Sequence, residues 1–472
     1  MLYLFPKVLT EIEIGLIRTL LDFSLVFASI CLLGGRETMT KYFPYFKSHG
    51  RNKGGFYFFS ILIPLLGFFI FSLAFFLKKD LLFRIYEANS PLLNIYTQYL
   101  YPLTFIALFS FYFESLSYLF GKITIPKIIR EVFLRAFTGL MVIAYLFKYL
   151  DQKELIQTIV GVHLICLLFF SWNAWKVSNW SFIPEKKLFT RKFNRGLLSF
   201  MTYSIFGSLS GIIVSKIDTL MLSASKGLGD TGIYSIAFFI AIFVETPRRS
   251  LDAVSSPIIA ESLSNGDMDH VREINSKSAI NLLIASGFLF LIIFINLENL
   301  FSFMPNGEIY RKGRNVIFFV GIAKVFEAVS GMNYPIISLS HLYRYSTLIL
   351  FMYSIIGVSL NALLIPLMGI DGAAIATLCT ILIVHTFMHV LVYLKFKIFN
   401  LNKEIIIILM MLFSLFILNH FIPEFPHFFL DGIIRTVILS LIFSIVVFYS
   451  GVSSDLNRVI LTMLDKIRNG VF

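Results

Sequence analysis

Residues 55–77 read GFYFFSILIPLLGFFIFSLAFFL, 23 positions without one charged side chain. A helix that crosses the hydrocarbon core of a bilayer needs about 20 largely apolar residues, and this stretch supplies them. Similar runs recur outward from it, near 15–34, 97–120, 129–149, 154–172, 197–222, 231–249, 279–297, 314–338, 346–367, 370–394, 403–421 and 431–450. The sequence therefore predicts an all-α polytopic membrane protein with about 13 transmembrane helices, joined by connections too short for a folded extramembrane domain. Composition points the same way. Of 472 residues, 57% are apolar and 14% charged, against about 45–50% and 25% in soluble domains, and mean hydropathy is +0.81. Disordered, collagenous, coiled-coil and disulfide-stapled secreted classes are excluded on the same arithmetic.

The 40 basic residues sort by loop. Alternate connections hold 25 of them, from Arg36, Lys41, Lys47, Arg51 and Lys53 through to Arg458, Lys466 and Arg468. The opposite connections hold 10, and Arg18, Arg135, Lys216, Lys324 and Arg435 fall at membrane depth. Because cytoplasmic loops keep Lys and Arg, the richer side, with the C-terminus, is expected in the cytoplasm. The loop Arg311–Arg314 resists this rule. Read this way, the net charge of +12 is a record of topology, and no nucleic-acid partner is implied. Cys31, Cys166 and Cys379 lie far apart in apolar runs, without metal or disulfide spacing. His385 and His389 have an i, i+4 spacing but no third ligand nearby, so interhelical packing is expected of them; no metal and no cofactor is implied. The start, MLYLFPKVLTEIEIG, does not read as a cleavable signal peptide.

A repeat is also visible. KVLTEIEIGLIRTLLDFS at the start of the chain is echoed from Lys226 by KGLGDTGIYSIAFFIA, with an acid two residues before a shared glycine (Glu13 and Gly15; Asp230 and Gly232). The repeat predicts two related halves and, because only MLYLFP precedes the first copy, a truncated first helix. On this basis the chain divides into an N-terminal lobe at 1–172, a basic interlobe linker at 173–196 bearing Trp175 and Trp180, a C-terminal lobe at 197–394, and two additional helices with a tail at 395–472.

Three segments carry a family likeness: LFPKVLTEIEIGLIRTLLDFS, KIDTLMLSASKGLGDTGIYSIAFFI after the basic linker, and NALLIPLMGIDGAAIATLCTILI from Asn361. Together they resemble the polysaccharide transporters, the O-antigen-type flippases of the multidrug/oligosaccharidyl-lipid/polysaccharide exporter superfamily. The resemblance implies 14 helices in two pseudo-symmetric lobes around a central cavity, and an undecaprenyl-diphosphate-linked oligosaccharide carried outward by alternating access across the bacterial cytoplasmic membrane. It implies membrane lipids, a polysaccharide polymerase and glycosyltransferases as partners. In the third segment, Pro366, Gly369 and Gly372 predict a short hairpin, and Ala373, Ala374 and Ala376 a closely packed helix start.

Charges at bilayer depth are the candidate functional residues. Arg18 and Asp22 are four apart and Lys324 and Glu327 three apart, so each of these pairs either closes on itself or lines a wet path, and Glu131 and Arg135, four apart near the cytoplasmic interface, are expected to pair with each other. Lys216 and Asp218, two apart, point to different sides of their helix and each needs a partner elsewhere; Glu114 and Arg435 stand singly. Arg18, Lys216, Lys324, Arg248 and Arg249 are candidates for the path of an anionic headgroup. Asp22, Asp218, Glu327 and Glu114 are candidates for charge balance or ion coupling. No GxxxxGK[ST] segment is present, which excludes a nucleotide-driven motor in this chain. A non-enzyme is expected, with two alternatives: a polytopic glycosyltransferase or oligosaccharide polymerase, and an ion-coupled drug exporter of the same superfamily.

Overall fold

The computed structural model describes residues 2–47, 56–178, 191–400, 402–458 and 461–462. Of the expected linker, 179–190 lie outside the described residues, as do Trp180, Arg51, Lys53, Lys466 and Arg468. Among the described residues the regular elements are all helices: α1 (Leu4–Val8), α2 (Glu11–Cys31), α3 (Gly35–Lys47), α4 (Phe56–Glu87), α5 (Pro91–Tyr96), α6 (Leu100–Leu119), α7 (Thr124–Ile128), α8 (Leu134–Leu146), α9 (Gln152–Val177), α10 (Arg191–Ser225), α11 (Leu228–Ala241), α12 (Thr246–Ser264), α13 (Met268–Ile295), α14 (Leu297–Phe303), α15 (Gly307–Tyr310), α16 (Arg314–Val329), α17 (Asn333–Leu339), α18 (Tyr343–Phe396), α19 (Lys403–Asn419) and α20 (Phe428–Ser450).

Among the described residues, nine helices are long and apolar enough to cross a membrane, and the pair Gly307–Val329 and Asn333–Leu339, bent by 56°, brings the number to ten. The other expected runs also rest on helix. Runs 346–367 and 370–394 share α18, whose 54 residues would extend about 80 Å if straight, well beyond a hydrocarbon core of about 30 Å. The backbone breaks at Gly369 (φ 59°, ψ −129°), a region open to glycine, so α18 is two helices. Lys226 Nζ donates to Pro366 O at 2.9 Å, taking up a carbonyl within one turn of the break. Ala373, Ala374 and Ala376, just past it, are fully buried. The run at 129–149 is interrupted by a π-helical turn, Ile129–Phe133, which joins α7 to α8. The run at 403–421 is α19, 17 residues long.

The chain forms two compact units, Met1–Ser235 with Asn361–Gly369, and Ile236–Leu360 with Ile370–Phe472. This partition by contact differs from the lobes read from the repeat: α10 and the start of α11 belong with the first unit. The core of that unit is aromatic. Phe43 meets both Phe56 and Phe120 edge to face, and Phe23 stacks on Phe27 and meets Tyr86 edge to face, arrangements that add to the stability conferred by area alone. The second unit packs around Val271, Met332, Ile336 and Val384, with a further cluster where Leu283, Ile408, Leu439 and Phe443 join α13, α19 and α20. Large apolar side chains also cover the outside: Phe69, Ile70, Phe76 and Leu77 on α4 all lie exposed. That surface suits lipid, where burying apolar groups within protein confers little advantage.

Helix starts are fixed by reciprocal caps. Glu13 N donates to Thr10 Oγ1 at 3.2 Å while Thr10 N donates to Glu13 Oε2 at 2.8 Å, and Asp151 with Glu154 repeats the arrangement ahead of α9. Just beyond the first cap, α2 crosses α11 at the two glycines of the repeat. A Cβ on Gly15 would stand 1.9 Å from Leu228 O, and one on Gly232 1.9 Å from Glu11 O. Each glycine thus meets the carbonyl four residues before the other, a reciprocal contact that any side chain would block.

Candidate functional site

In the first unit, Arg18 and Asp22 stand one turn apart on α2, and their side chains meet: Arg18 Nε lies 2.9 Å from Asp22 Oδ2. From α10, Lys216 Nζ reaches the other carboxylate oxygen, Oδ1, also at 2.9 Å. Asp22, 1% exposed, is therefore clamped between two cations. These groups open on a cavity of about 230 Å³ whose lining also includes Arg130, His163, Ser24 and Ser110. Arg130 comes from the π-helical turn, and its guanidinium is held from behind by Glu114 Oε2 at 2.5 Å. Tyr118 OH donates to Glu114 Oε1 at 2.7 Å. The rings of Phe111 and Phe170 lie 5.4 and 6.0 Å from that guanidinium, a distance at which an aromatic face attracts a cation.

The cavity wall thus presents Arg18, Arg130 and Lys216 against the single carboxylate of Asp22. Even with Glu114 counted behind Arg130, cations exceed carboxylates by one. A spare positive charge in a confined pocket recognises an anion, and guanidinium forks match phosphate oxygens. At about 230 Å³ the space falls below the roughly 300–1,000 Å³ of drug-sized pockets. It admits a phosphate or diphosphate group, with no room for a whole oligosaccharide. Asp218, two residues from Lys216, faces elsewhere and accepts from Tyr234 OH at 3.0 Å and Asn361 Nδ2 at 2.7 Å.

The second unit gathers the remaining candidates into a different arrangement. Lys324 Nζ lies 2.9 Å from Glu327 Oε2 and 2.7 Å from Glu245 Oε2. Arg248 Nη1 lies 3.1 Å from Glu327 Oε1 and donates to Glu327 O at 2.8 Å, and its Nε is 3.6 Å from Asp252 Oδ2. Arg249 Nε reaches Glu245 Oε1 at 2.9 Å. Three cations face three carboxylates, and Arg248, taken from the sequence as a residue at the membrane face, is buried within this network while Arg249 is exposed.

His385 Nδ1 pairs with Ser330 Oγ at 2.7 Å and His389 Nδ1 with Asn333 Nδ2 at 2.5 Å, so both are interhelical polar contacts. No group of metal-ligating residues occurs among the described residues. Arg135 pairs with Glu131, and Arg435 Nε with Asp431 Oδ2 at 2.7 Å. At the loop that resisted the charge rule, Arg311 and Arg314 are both matched by Glu298, and Arg311 by Glu308.

Sequence reasoning missed four participants. Arg130 is one of the 25 basic residues on the richer side of the charge count, and nothing local marks its reach into the cavity. Glu245 and Asp252 flank Arg248 and Arg249 at helical spacing in ETPRRSLD, a signal that was present. Asp431, four residues before Arg435, was equally legible.

No known protein-family profile matches the chain. It is 23% identical to an uncharacterized membrane protein of Methanocaldococcus jannaschii over 470 residues, covering 94% of this chain and 89% of that protein. Among solved structures it superimposes on the lipid II flippase MurJ in an inward closed conformation, with a TM-score of 0.65, 15% identity, and coverage of 93% of this chain and 97% of that one. A multidrug resistance MATE family transporter of the MOP superfamily, inward-facing, matches with a TM-score of 0.65, 12% identity, and coverage of 83% and 91%. The chain shares their fold. It is an all-α, multi-pass membrane protein.

Proposed function

We propose that the protein is a flippase that moves an oligosaccharide, linked through diphosphate to undecaprenol or a similar polyprenol, across the cytoplasmic membrane by alternating access, in the assembly of a surface polysaccharide. The observation that carries this reading is the excess of positive charge around the cavity of the first unit. Each ionisable group at bilayer depth costs about 2.5–3.5 kcal/mol on insertion scales, and Arg18, Arg130 and Lys216 are not fully neutralised by Asp22 and Glu114. A diphosphate entering the cavity would restore that balance, its sugars extending beyond. The fold shared with a lipid II flippase supports the reading, as does the absence of a nucleotide-binding motif. Asp22, Asp218 and Glu327 are the carboxylates through which an ion gradient would couple. A bacterial inner membrane, a cytoplasmic C-terminus, and a polymerase with glycosyltransferases as downstream and upstream partners belong to the same proposal.

A second reading, export of a drug, draws on the MATE fold. The excess of cations at the cavity disfavours a cationic cargo, which like charges repel.

The test is translocation of a fluorescent polyprenyl-diphosphate oligosaccharide in proteoliposomes containing the purified protein. Wild type should move it, and Lys216→Ala should lower the rate while the protein still inserts and elutes as a folded species. An undiminished rate in that variant removes Lys216 from the mechanism; transport of a cationic dye in place of the glycolipid replaces this reading with the second.

A further inference from the structure

In the second unit, four helix ends meet: the C-termini of α12, α17 and α18, and the N-terminus of α13. Between them lies an open groove of about 570 Å³. Its floor is apolar, with Leu263, Met268 and Phe396, and its rim is basic, with Arg272, Lys395 and Lys397. Arg272 is offset by Asp269 at 2.5 Å and also donates to Phe396 O at 3.4 Å. Lys395 and Lys397 are exposed, and neither has a carboxylate within 4 Å among the described residues. The groove therefore presents two uncompensated ammonium groups above an apolar surface.

Lys397 is held at a backbone cost. It caps α18 in the left-handed conformation, φ 57° and ψ 33°, with its N–H donating to Tyr393 O at 2.9 Å. This is the position at which helices ordinarily place glycine, and a lysine there is strained relative to glycine. Its Nζ stands 5.6 Å from the centre of the Tyr393 ring, and Tyr393 is itself exposed. A tyrosine beside a lysine at the end of a membrane helix marks the headgroup level. By the distribution of basic loops, this is the end expected in the cytoplasm, where the leaflet is anionic.

We propose that this groove binds the phosphate headgroup of an anionic bilayer phospholipid, held by Lys395 and Lys397, with its glycerol and upper acyl carbons against Phe396, Met268 and Leu263. Its lining shares no residue with the cavity of the first unit, and the proposal does not depend on what is transported.

The test uses the full-length protein in detergent, with lipid binding followed by native mass spectrometry for phosphatidylglycerol, phosphatidylcholine and inorganic phosphate. Wild type should retain phosphatidylglycerol in preference to phosphatidylcholine. Each lysine near an anionic surface contributes about 1 kcal/mol, so Lys397→Gly should weaken phosphatidylglycerol binding roughly 5-fold, and its combination with Lys395→Ala roughly 30-fold. Lys397→Gly relieves the strained cap, so its thermal midpoint without lipid should equal or exceed that of wild type, which separates loss of the site from loss of the fold. Unchanged phosphatidylglycerol binding in the double variant overturns the proposal. Equal retention of phosphatidylcholine, or binding of inorganic phosphate as tight as that of phosphatidylglycerol, overturns it as well.

Discussion

Lys216 in the first unit and Lys324 in the second are both lysines on apolar helices, both largely buried, and both within 3 Å of carboxylates. Their surroundings differ in sum. Around Lys324 the charges balance, each oxygen of Glu327 and Glu245 serving a different cation, so the network ties α12 to α16. Around Lys216 they do not balance, and a cavity occupies the place where another anion would complete the set. The difference teaches that two buried lysines of like setting can carry different local sums of charge, and that the sum, with the cavity lined by Lys216, is what substitutions at the two sites would compare.

The comparison breaks most sharply with matched substitutions. Lys324→Met leaves Glu245 and Glu327 facing each other without their shared cation. Removing one partner from a buried pair costs about 3–5 kcal/mol, so we expect a large fall in thermal midpoint and in folded yield on size exclusion. If Lys324→Met is as stable as wild type, the network is not structural. Lys216→Met leaves Asp22 with Arg18 and should stay folded. Its loss should appear in glycolipid translocation, by about 10- to 150-fold, the worth of a charge-assisted hydrogen bond of roughly 1.5–3 kcal/mol. A variant that instead unfolds while translocation per folded molecule is unchanged would erase the distinction between the two lysines.

Arg130→Gln sharpens the cavity side. It removes one of three cations but keeps a donor towards Glu114, and we expect a smaller decrease in translocation, about 3- to 10-fold on the same scale, with little change in melting. The smallest effect is expected for Arg249→Ala. That side chain is 62% exposed, and exposed pairs contribute about 0–1 kcal/mol. Its melting and translocation should both match wild type, whereas Arg248→Ala, inside the network, should melt markedly lower.

What could be read from the sequence was what helical geometry makes local. The apolar runs gave helices, and pairs three or four residues apart (Arg18 with Asp22, Lys324 with Glu327, Glu131 with Arg135) are together because 3.6 residues per turn puts them on one face. The spacing of Lys216 and Asp218 also told that they part company, although not where each goes. Lys216 finds Asp22 across 194 positions, Arg248 finds Glu327 across 79, and Arg130, within a π-helical turn, finds Glu114 on α6 across 16. Such partners depend on which helix faces which, and no local pattern encodes that. The span boundaries were similarly local: the runs that part between 367 and 370 do so at the backbone break of Gly369, whereas the π-helical turn interrupts a run that read as continuous.

The crossing of α2 with α11 carries a mechanical consequence. Because Gly15 and Gly232 each rest on the peptide oxygen one turn ahead of the other, the two rods touch backbone to backbone at two points along the crossing, with no side chain between them. The joint tolerates no padding: a single methyl group added at either glycine would land on a carbonyl oxygen and prise the rods apart.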